Sequence, residues 1–332
     1  MRILGTYHMF VLRRQRERGN RRRAILLLCC SAYALSCSGG APRTQRHCAE
    51  PTGVVQVASG IYVRHGRAAV VFEGDEIANI GFIVGERCVA VIDSGGSVAE
   101  GAALDCAIRQ KTDRPVCYVI NTHVHPDHLL GNEAFQGPGV EFIGHAKLPR
   151  ALALRGDLYL ERASAYEKRE LNDSVIVFPH RTVADFVELD IGGRILIVRA
   201  HPSAHTDNDL SVVDRNTGTA FLGDLVFLEH LPVIDGSING WISELEAIAG
   251  ESFDRVVPGH GPVNVPWPSV VTPTARYLTD LRRDVRKRIA AGEGLVSAQD
   301  GIRPPRAGDW VLLDRYHRRN VGAAYAELEW ED

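Results

Sequence analysis

The chain has 332 residues, 45% of them hydrophobic and 24% charged, which is enough to bury one large core and predicts a single main domain. Its first fifty residues carry ten Arg against Glu17 and Glu50, a charge of 10 − 2 = +8, so the net charge of −3 leaves −3 − 8 = −11 for residues 51–332. An acidic body of this kind repels nucleic acid and anionic membrane surfaces, so we expect no nucleic-acid partner.

The N-terminal segment has the pattern of a secretory signal. Three arginines at 21–23 precede an apolar run at 24–35 and small residues that include Cys37, as in a signal peptide followed by its cleavage site. The run is shorter than the roughly twenty residues of a permanent transmembrane helix. We therefore expect residues 1–41 to be a signal peptide and cleavage region and the protein to be periplasmic. Residues 34–37 loosely resemble a lipoprotein cleavage box, so lipid anchoring at Cys37 stays open.

Four cysteines remain beyond that segment, namely Cys48, Cys88, Cys106 and Cys117. No Cys-x-x-Cys pair occurs among them, so a thiolate metal site is not expected. Cys88 and Cys117 fall at similar depths on two successive predicted strands, and an oxidising periplasm would permit a disulfide between them. Buried free thiols are the favoured interpretation.

From residue 54 onward, strand-length apolar runs interleave with helical stripes. The predicted strands cover 60–63, 69–72, 80–84, 88–93, 116–120, 140–143, 175–178, 186–189, 194–199, 210–213, 219–222 and 255–257. Helices are predicted after the capping-box residues 97–100 and over 148–171, 241–249, 272–291 and 318–328. This alternation predicts an α/β protein with layered sheets.

The strand at 116–120 leads into the motif HxHxDH, which places three imidazoles and one carboxylate within six residues. Imidazole and carboxylate are ligands that zinc favours, and a site with an open position for water is catalytic. His123 and His125 lie two residues apart at a strand end and can bind one ion. Asp127 and His128 open a helix and can face a second ion, and Pro126 suits that helix start. A surface histidine cluster is the alternative.

Two zinc ions need further ligands, and three candidates lie at the ends of later apolar strands, where α/β sites form. They are His205, Asp224 and His260. His201 competes with His205 for the role of third ligand, but the His-Thr-x-x-Asp context favours His205. His145 could line a pocket, although a histidine at a helix start is the commoner situation. We assign no role to His65, His180, His230 or His317.

The order of these motifs, HxHxDH, then His-Thr, Gly-Asp and Pro-Gly-His-Gly, is similar to that of the metallo-β-lactamase superfamily over residues 54–292. The resemblance implies an αβ/βα sandwich, two mixed β-sheets flanked by helices, with two Zn²⁺ at one edge. It implies one ion at His123, His125 and His205, the other at Asp127, His128 and His260, and Asp224 as a bridge. Asp93 matches the family's supporting carboxylate, with a simple strand-end turn as the alternative. We predict that residues 293–332 form a C-terminal helical extension packed on the same domain.

Within the superfamily, the loops at 95–97, 121–128 and 231–241 look most like those of the SoxH-like quinoprotein relay system zinc metallohydrolases. Those proteins tend to accompany periplasmic quinoprotein dehydrogenases. The resemblance therefore suggests such a dehydrogenase as a partner, besides a small-molecule substrate.

The activity that the resemblance implies is hydrolysis of an ester, thioester, lactone or amide by a zinc-bound hydroxide that Asp127 orients. No cysteine follows Cys117, so Asp224 points toward glyoxalase II-like or SoxH-like hydrolases and away from β-lactamases with a cysteine ligand. Alternatives are a β-lactamase, a non-catalytic metal-binding accessory protein, and a persulfide dioxygenase-like enzyme with one iron at His123, His205 and Asp224. The basic run at 282–288 is interpreted as a solvated helix face in preference to a substrate clamp.

Overall fold

The computed structural model describes residues 53–68, 76–167, 175–263, 265–305 and 310–331. The predicted signal at 1–41, Cys48, the predicted strand at 69–72 and the end of the helix predicted over 148–171 lie outside the described residues. Within those described ranges, none of the helices combines the length and the apolar character needed to cross a bilayer.

Seven strands of the described residues form a first mixed sheet. In sheet order they are β1 (Val54–Ala58), β2 (Ile61–Arg64), β3 (Ile80–Val84), β4 (Val89–Ile92), β5 (Val116–Ile120), β6 (Glu141–His145) and β7 (Arg181–Val183). β1 to β4 pair antiparallel, whereas β4 to β7 run parallel. A parallel pair needs a long crossover. Helices α1 (Val98–Lys111) and α3 (Leu148–Glu167) supply two of these crossovers, and the third carries the short helix α2 (Pro126–Leu129).

The second sheet, again within the described residues, has five strands in the order β12-β11-β10-β9-β8. They are β8 (Phe186–Asp190), β9 (Ile195–Ala200), β10 (Leu210–Asp214), β11 (Thr219–Phe227) and β12 (Arg255–His260). Strands β8 to β11 pair antiparallel, and β12 lies parallel to β11 after the crossover helix α4 (Ile238–Ala249).

The two sheets pack face to face, with helices on their outer faces. Side chains alternate along a strand, so Ile83 of β3 points into the core between the sheets while Phe82 packs outward beneath α1. On the far side, Leu222 of β11 packs under Trp241 of α4. These layers form an αβ/βα sandwich of two mixed β-sheets flanked by helices, which is the architecture that the family resemblance implied.

The C-terminal helices α5 (Thr272–Ala290), α6 (Leu295–Gly301) and α7 (Leu313–Leu328) share the core above the second sheet. Val321 of α7 is completely buried in it with Leu278 of α5. The basic run on α5 forms surface ion pairs, such as Arg283 with Asp280. It is thus the solvated face favoured from the sequence.

The predicted strand at 175–178 is wrong. Val175 and Phe178 are 51% and 45% exposed, and the backbone N–H of Val175 donates to the Glu133 carboxylate instead of to a neighbouring strand. Pairing with β6 starts only at Arg181, which lies opposite Ile143. The sequence predicts a strand here because the apolar composition is visible in the local sequence. The backbone pairing that makes a strand is not.

Cys88 and Cys117 form a disulfide, with their Cα atoms 5.9 Å apart. The favoured interpretation of both as free thiols is therefore wrong. Cys88 directly precedes β4 and Cys117 lies in β5, and these strands are parallel neighbours. Adjacent strands bring the two thiols within the separation that a disulfide bridges.

Candidate metal centre

The seven predicted ligands meet at one edge of the sandwich, where strand ends and loops of both sheets converge. The loop after β5 carries His123 and His125, and α2 carries Asp127 and His128. The loop between β9 and β10 carries His205, and β11 and β12 carry Asp224 and His260. Two groups of potential ligand atoms result, and the atoms of each group lie within 4.8 Å of one another. The first group comprises His123, His125, His205 and Asp224, and the second Asp127, His128 and His260.

Distances within the first group are those of donors turned toward one point. His125 Nδ1 lies 3.1 Å from His123 Nε2 and 2.9 Å from His205 Nε2. Three nitrogens around one tetrahedral zinc would stand about 3.3 Å apart, given Zn–N bonds of about 2.0–2.1 Å. In the second group, Asp127 Oδ2 lies 3.4 Å from Nε2 of both His128 and His260.

Asp224 lies between the two groups. Its Oδ2 is 3.3 Å from His205 Nε2 on one side and 3.3 Å from His260 Nε2 on the other. Its Oδ1 is 3.2 Å from His128 Nε2. This carboxylate is therefore placed where the family resemblance expected a bridge between two ions.

Every imidazole of the two groups turns one nitrogen inward and anchors the other outward. The outward nitrogens contact an acceptor at 2.7–3.1 Å: Thr122 Oγ1 for His123, Asp235 for His125, Asp93 for His128, the Val233 carbonyl for His205 and the Ile77 carbonyl for His260. Outer hydrogen bonds of this kind fix the tautomer and orientation of metal-binding histidines. The five inner nitrogens are thus left free to coordinate.

The residues fit a pair of divalent cations. His128 Nε2 and Asp224 Oδ1 are buried and, within the described residues, lack a hydrogen-bond partner. Such orphaned polar atoms are costly unless an ion or water satisfies them. Imidazole nitrogen and carboxylate oxygen are also the donor types that zinc takes in catalytic sites.

The electrostatics differ between the two groups. Burial lowers the pKa of His205 to about 3 and that of His123 well below its ordinary value, so both imidazoles are neutral. Burial also opposes the charged form of His128, but Asp224, Asp127 and Asp93 outweigh it and raise the pKa of His128. Metal binding to the second group would therefore displace protons.

The position of Asp224 depends on a glycine in the neighbouring strand. A Cβ atom at Gly259 would lie 1.8 Å from Asp224 Oδ1 and 2.9 Å from its backbone nitrogen. No other residue leaves room for that carboxylate, which explains the glycine before His260 in physical terms.

Asp93 supports the cluster from beneath, as the resemblance implied. Its carboxylate accepts hydrogen bonds from the Thr122 backbone N–H at 2.7 Å and from the Thr122 hydroxyl at 2.8 Å. It also contacts His128 Nδ1 at 2.8 Å. Asp93 is thus a buried anchor of the ligand loop, and not only a strand-end turn.

The competing histidines lie outside both groups. His201 contacts the Glu244 carboxylate and the Ser211 hydroxyl, each at 2.7 Å, so His205 takes the inner position. His145 Nδ1 accepts a hydrogen bond from the Lys147 N–H, which is the local helix-start role.

Asp235 is the functional residue that the sequence did not single out. Its Oδ2 lies 3.1 Å from His125 Nε2, and its backbone N–H donates to the His205 carbonyl. The loop at 231–241 had been noted only for its family resemblance. A lone aspartate in a loop carries no local signal for a contact with a residue 110 positions away.

The αβ/βα sandwich and the cluster of five imidazoles and two carboxylates at its edge are the features of a known protein family. Residues 74–260, more than half of the chain, match the family Metallo-beta-lactamase superfamily, and the chain belongs to that superfamily. Its members are typically hydrolytic metalloenzymes. No curated protein matches the chain.

Solved structures share the fold at low sequence identity. A metallo-beta-lactamase from Pontibacter korlensis is 21% identical with a TM-score of 0.54, and the match covers 68% of this chain and 98% of that one. A metallo-beta-lactamase from Hirschia baltica is 20% identical with a TM-score of 0.54, covering 69% and 98%. The stereoselective inverting sec-alkylsulfatase Pisa1 from Pseudomonas sp. is 16% identical with a TM-score of 0.64, covering 84% of this chain but only 50% of its own.

Proposed function

We propose that the protein is a binuclear zinc hydrolase that cleaves an ester, thioester, lactone or amide of a small molecule. The observation that carries the proposal is the position of Asp224, whose carboxylate reaches ligand nitrogens of both groups at 3.2–3.3 Å. Asp224 would therefore hold two cations close enough to supply one activated water between them.

Two zinc ions, when bound, would lower the pKa of that water toward neutrality and supply a nucleophile. The residues of the chain then orient it. Burial disfavours the charge of Asp127, but His128 and His260 outweigh this effect and lower the pKa of Asp127, so its carboxylate stays ionised. Its side chain is 12% exposed toward solvent. Asp127 can therefore accept a hydrogen bond from the attacking water and fix its direction.

A substrate screen must extend beyond acyl compounds. The match to the sec-alkylsulfatase covers more of this chain than the matches to the two β-lactamases reported above. Sulfate esters therefore belong in the screen beside thioesters, lactones, carboxylic esters and β-lactams, although the chain spans only half of that sulfatase.

Metal analysis combined with one substitution tests the proposal. We expect the purified protein to contain two zinc ions per chain. Asp127→Asn should lower kcat by at least about 100-fold, because general-base orientation of a nucleophile contributes that much. Asp113→Asn, which changes an exposed carboxylate in the turn after α1, should leave kcat unchanged.

Each alternative predicts a different result. One iron per chain with oxygen uptake would replace hydrolysis by the dioxygenase reaction. Zinc binding without turnover of any compound in the screen, together with an unaltered dehydrogenase partner in cells carrying His125→Ala, would leave only a metal-binding accessory role.

We further propose that the protein is exported to the periplasm and acts beside a quinoprotein dehydrogenase. The Cys88–Cys117 disulfide supports export, because disulfides persist in oxidising compartments. Mass spectrometry of the protein from the native cell should place the mature N-terminus within residues 36–41, or at a lipidated Cys37. An intact N-terminus in the cytoplasmic fraction would rule out export.

A further inference from the structure

A charged cluster beside the metal centre connects it to the helices α3 and α7. The Asp235 carboxylate contacts His125 Nε2 and the Arg155 guanidinium through Oδ2. Its Oδ1 accepts a hydrogen bond from Arg319 Nη2 at 3.1 Å. Arg155 lies on α3 and Arg319 on α7, so one carboxylate joins guanidinium groups from two elements that are far apart in sequence. We call Arg155 and Arg319 the arginine pair.

The arginine pair carries more charge than Asp235 neutralises. Two guanidinium groups face one carboxylate, which leaves one positive charge. The two arginine side chains are 36% and 48% exposed, whereas that of Asp235 is only 16% exposed. A guanidinium has five N–H donors, and the bonds to Asp235, together with the bond of Arg155 to the Tyr159 side chain, occupy only part of them. Donors of both arginines therefore remain available to solvent or to a bound molecule.

Two further side chains of α7, Arg315 and Tyr316, lie near the arginine pair. Burial raises the pKa of Tyr316, so the phenol is a neutral hydrogen-bonding group. Tyr316 lies on α7 near Asp127, and the charge of that carboxylate also raises the pKa of the Tyr316 phenol. The charges of Arg315 and Arg319 lower the same pKa. The guanidinium of Arg315 lies 5.6 Å from the ring centre of Tyr316. Beside Arg319, α7 thus carries a second arginine, Arg315, whose side chain is hydrogen-bonded to the neutral phenol of Tyr316.

The arginine pair lies near the first ligand group of the metal centre, to which Asp235 and His125 connect it. One imidazole ring and one carboxylate separate its donors from His125 Nδ1, which faces the first ligand group. A molecule held there by one end would place atoms a few bonds away at the metal centre. Guanidinium groups recognise planar oxyanions through paired hydrogen bonds.

We propose that Arg155 and Arg319 bind an anionic oxygen group of the substrate, so the preferred substrates carry a carboxylate or similar oxyanion a few bonds from the bond that is cleaved. This inference rests on the proposed hydrolase function. Asp235 positions the two guanidinium groups and ties them to the ring of His125. The C-terminal helix α7 therefore completes the substrate site.

Paired esters with the same leaving group test the proposal by kinetics. The zinc-loaded protein is assayed with 4-nitrophenyl hydrogen glutarate, which is anionic, and 4-nitrophenyl butyrate, which is neutral. We expect the wild type to prefer the anionic ester. Arg155→Gln and Arg319→Gln should each lower the ratio of the two kcat/KM values about tenfold or more, the size of one charge-assisted hydrogen bond.

Control variants lie on the same helices. Arg162→Gln changes an exposed arginine of α3, and Arg318→Gln changes the exposed partner of Asp300 on α7; both should leave the ratio unchanged. Arg319→Lys keeps the positive charge but not the planar set of paired N–H donors, so it should retain more of the selectivity than Arg319→Gln does. An equal ratio in the wild type and both arginine variants would overturn the proposal while leaving the hydrolase function intact.

Equilibrium binding separates the two ideas if no ester is hydrolysed. Glutarate binding to the zinc-loaded protein is measured by calorimetry for the same variants. A Kd that rises about tenfold in Arg155→Gln or Arg319→Gln, but not in the controls, would support the anion site even without turnover. No binding to the wild type, or equal binding by all variants, would refute it.

Discussion

Thr122 connects the buried Asp93 to the ligand histidines. Its hydroxyl donates to Asp93 at 2.8 Å and lies 3.0 Å from His123 Nδ1, so it can accept the proton of that ring. Thr122→Val keeps the shape of the side chain and the backbone hydrogen bond to Asp93, but it removes the hydroxyl that links Asp93 to His123. We expect zinc affinity to fall about 10- to 100-fold, as for other outer contacts of metal ligands.

Competition with a chromogenic chelator measures this affinity. Thr182→Val, at an exposed position of β7, is the control and should bind zinc as the wild type does. Unchanged affinity in Thr122→Val would mean that the hydroxyl has no part in orienting His123.

The convergence of the candidate ligands could be predicted at this scale because they lie in short motifs at strand ends, where residue type and spacing carry the signal. Asp235 could not, since its contact with His125 exists only after the loop before α4 has folded against the loop of His205. The disulfide was misjudged for the same reason, because strand pairing, and not spacing, brings Cys88 to Cys117.

At the level of elements, Glu327 of α7 caps the start of α4. Its carboxylate accepts hydrogen bonds from the Ser237 hydroxyl and the Ile238 N–H, both at 2.8 Å, and from the Asn239 N–H at 3.2 Å. A negative charge at a helix N-terminus also interacts favourably with the helix dipole. This contact attaches the helix that carries Arg319 to the helix behind the ligand loop.

Glu327→Ala should lower the free energy of unfolding by about 1–3 kcal/mol, the cost of leaving those donors without a partner. Urea unfolding of the zinc-loaded protein measures the change. Glu329→Ala, which alters the exposed residue directly after α7, should change stability by less than about 0.5 kcal/mol. Equal stabilities would show that solvent caps α4 as well as Glu327 does.

The same contact explains an error in a predicted boundary. The sequence predicts that α4 starts at residue 241. The helix begins at Ile238 instead. Ser237, the N-cap, accepts a hydrogen bond from the Gly240 N–H at 2.9 Å, and Glu327 adds bonds to the N–H groups of Ile238 and Asn239. A Cβ atom at Gly240 would lie 2.1 Å from the Ser203 carbonyl. Close packing, which no local pattern shows, selected the glycine.

At the scale of the whole molecule, Arg194 ties the two sheets together. Its guanidinium bonds both oxygens of Asp214 at 2.8 and 2.9 Å within the second sheet. It also donates to the carbonyls of Val84, at the end of β3, and of Ser59, in the turn between β1 and β2 of the first sheet. The order of strands and layers could be expected from the sequence, but this buried tie depends on how the sheets face each other.

Arg194→Met should destabilise the fold by about 3–5 kcal/mol, because it leaves the Asp214 charge buried without its partner. Arg199→Met, which breaks an exposed pair with Glu251, should cost roughly 0–1 kcal/mol. Thermal and denaturant unfolding compare the two. Similar losses in both variants would contradict a special role for Arg194.

The effect should also depend on pH. Burial opposes ionisation of Asp214, but bonds from Arg194 and Thr217 outweigh it and lower its pKa. A lowered carboxyl pKa adds stability above the ordinary value of about 4, and this gain is lost as the pH falls through the pKa in the folded state. The difference between the wild type and Arg194→Met should therefore shrink in acid.

Trp241 is completely buried, and its ring centre lies 5.1 Å from that of His205. Its indole N–H donates to the Leu225 carbonyl, which holds the ring in place. An indole fixed against a coordinating imidazole responds to the charge and rigidity of its neighbour. The protein therefore contains its own optical reporter: fluorescence emission should shift as the site fills, and Trp241→Phe should abolish that signal.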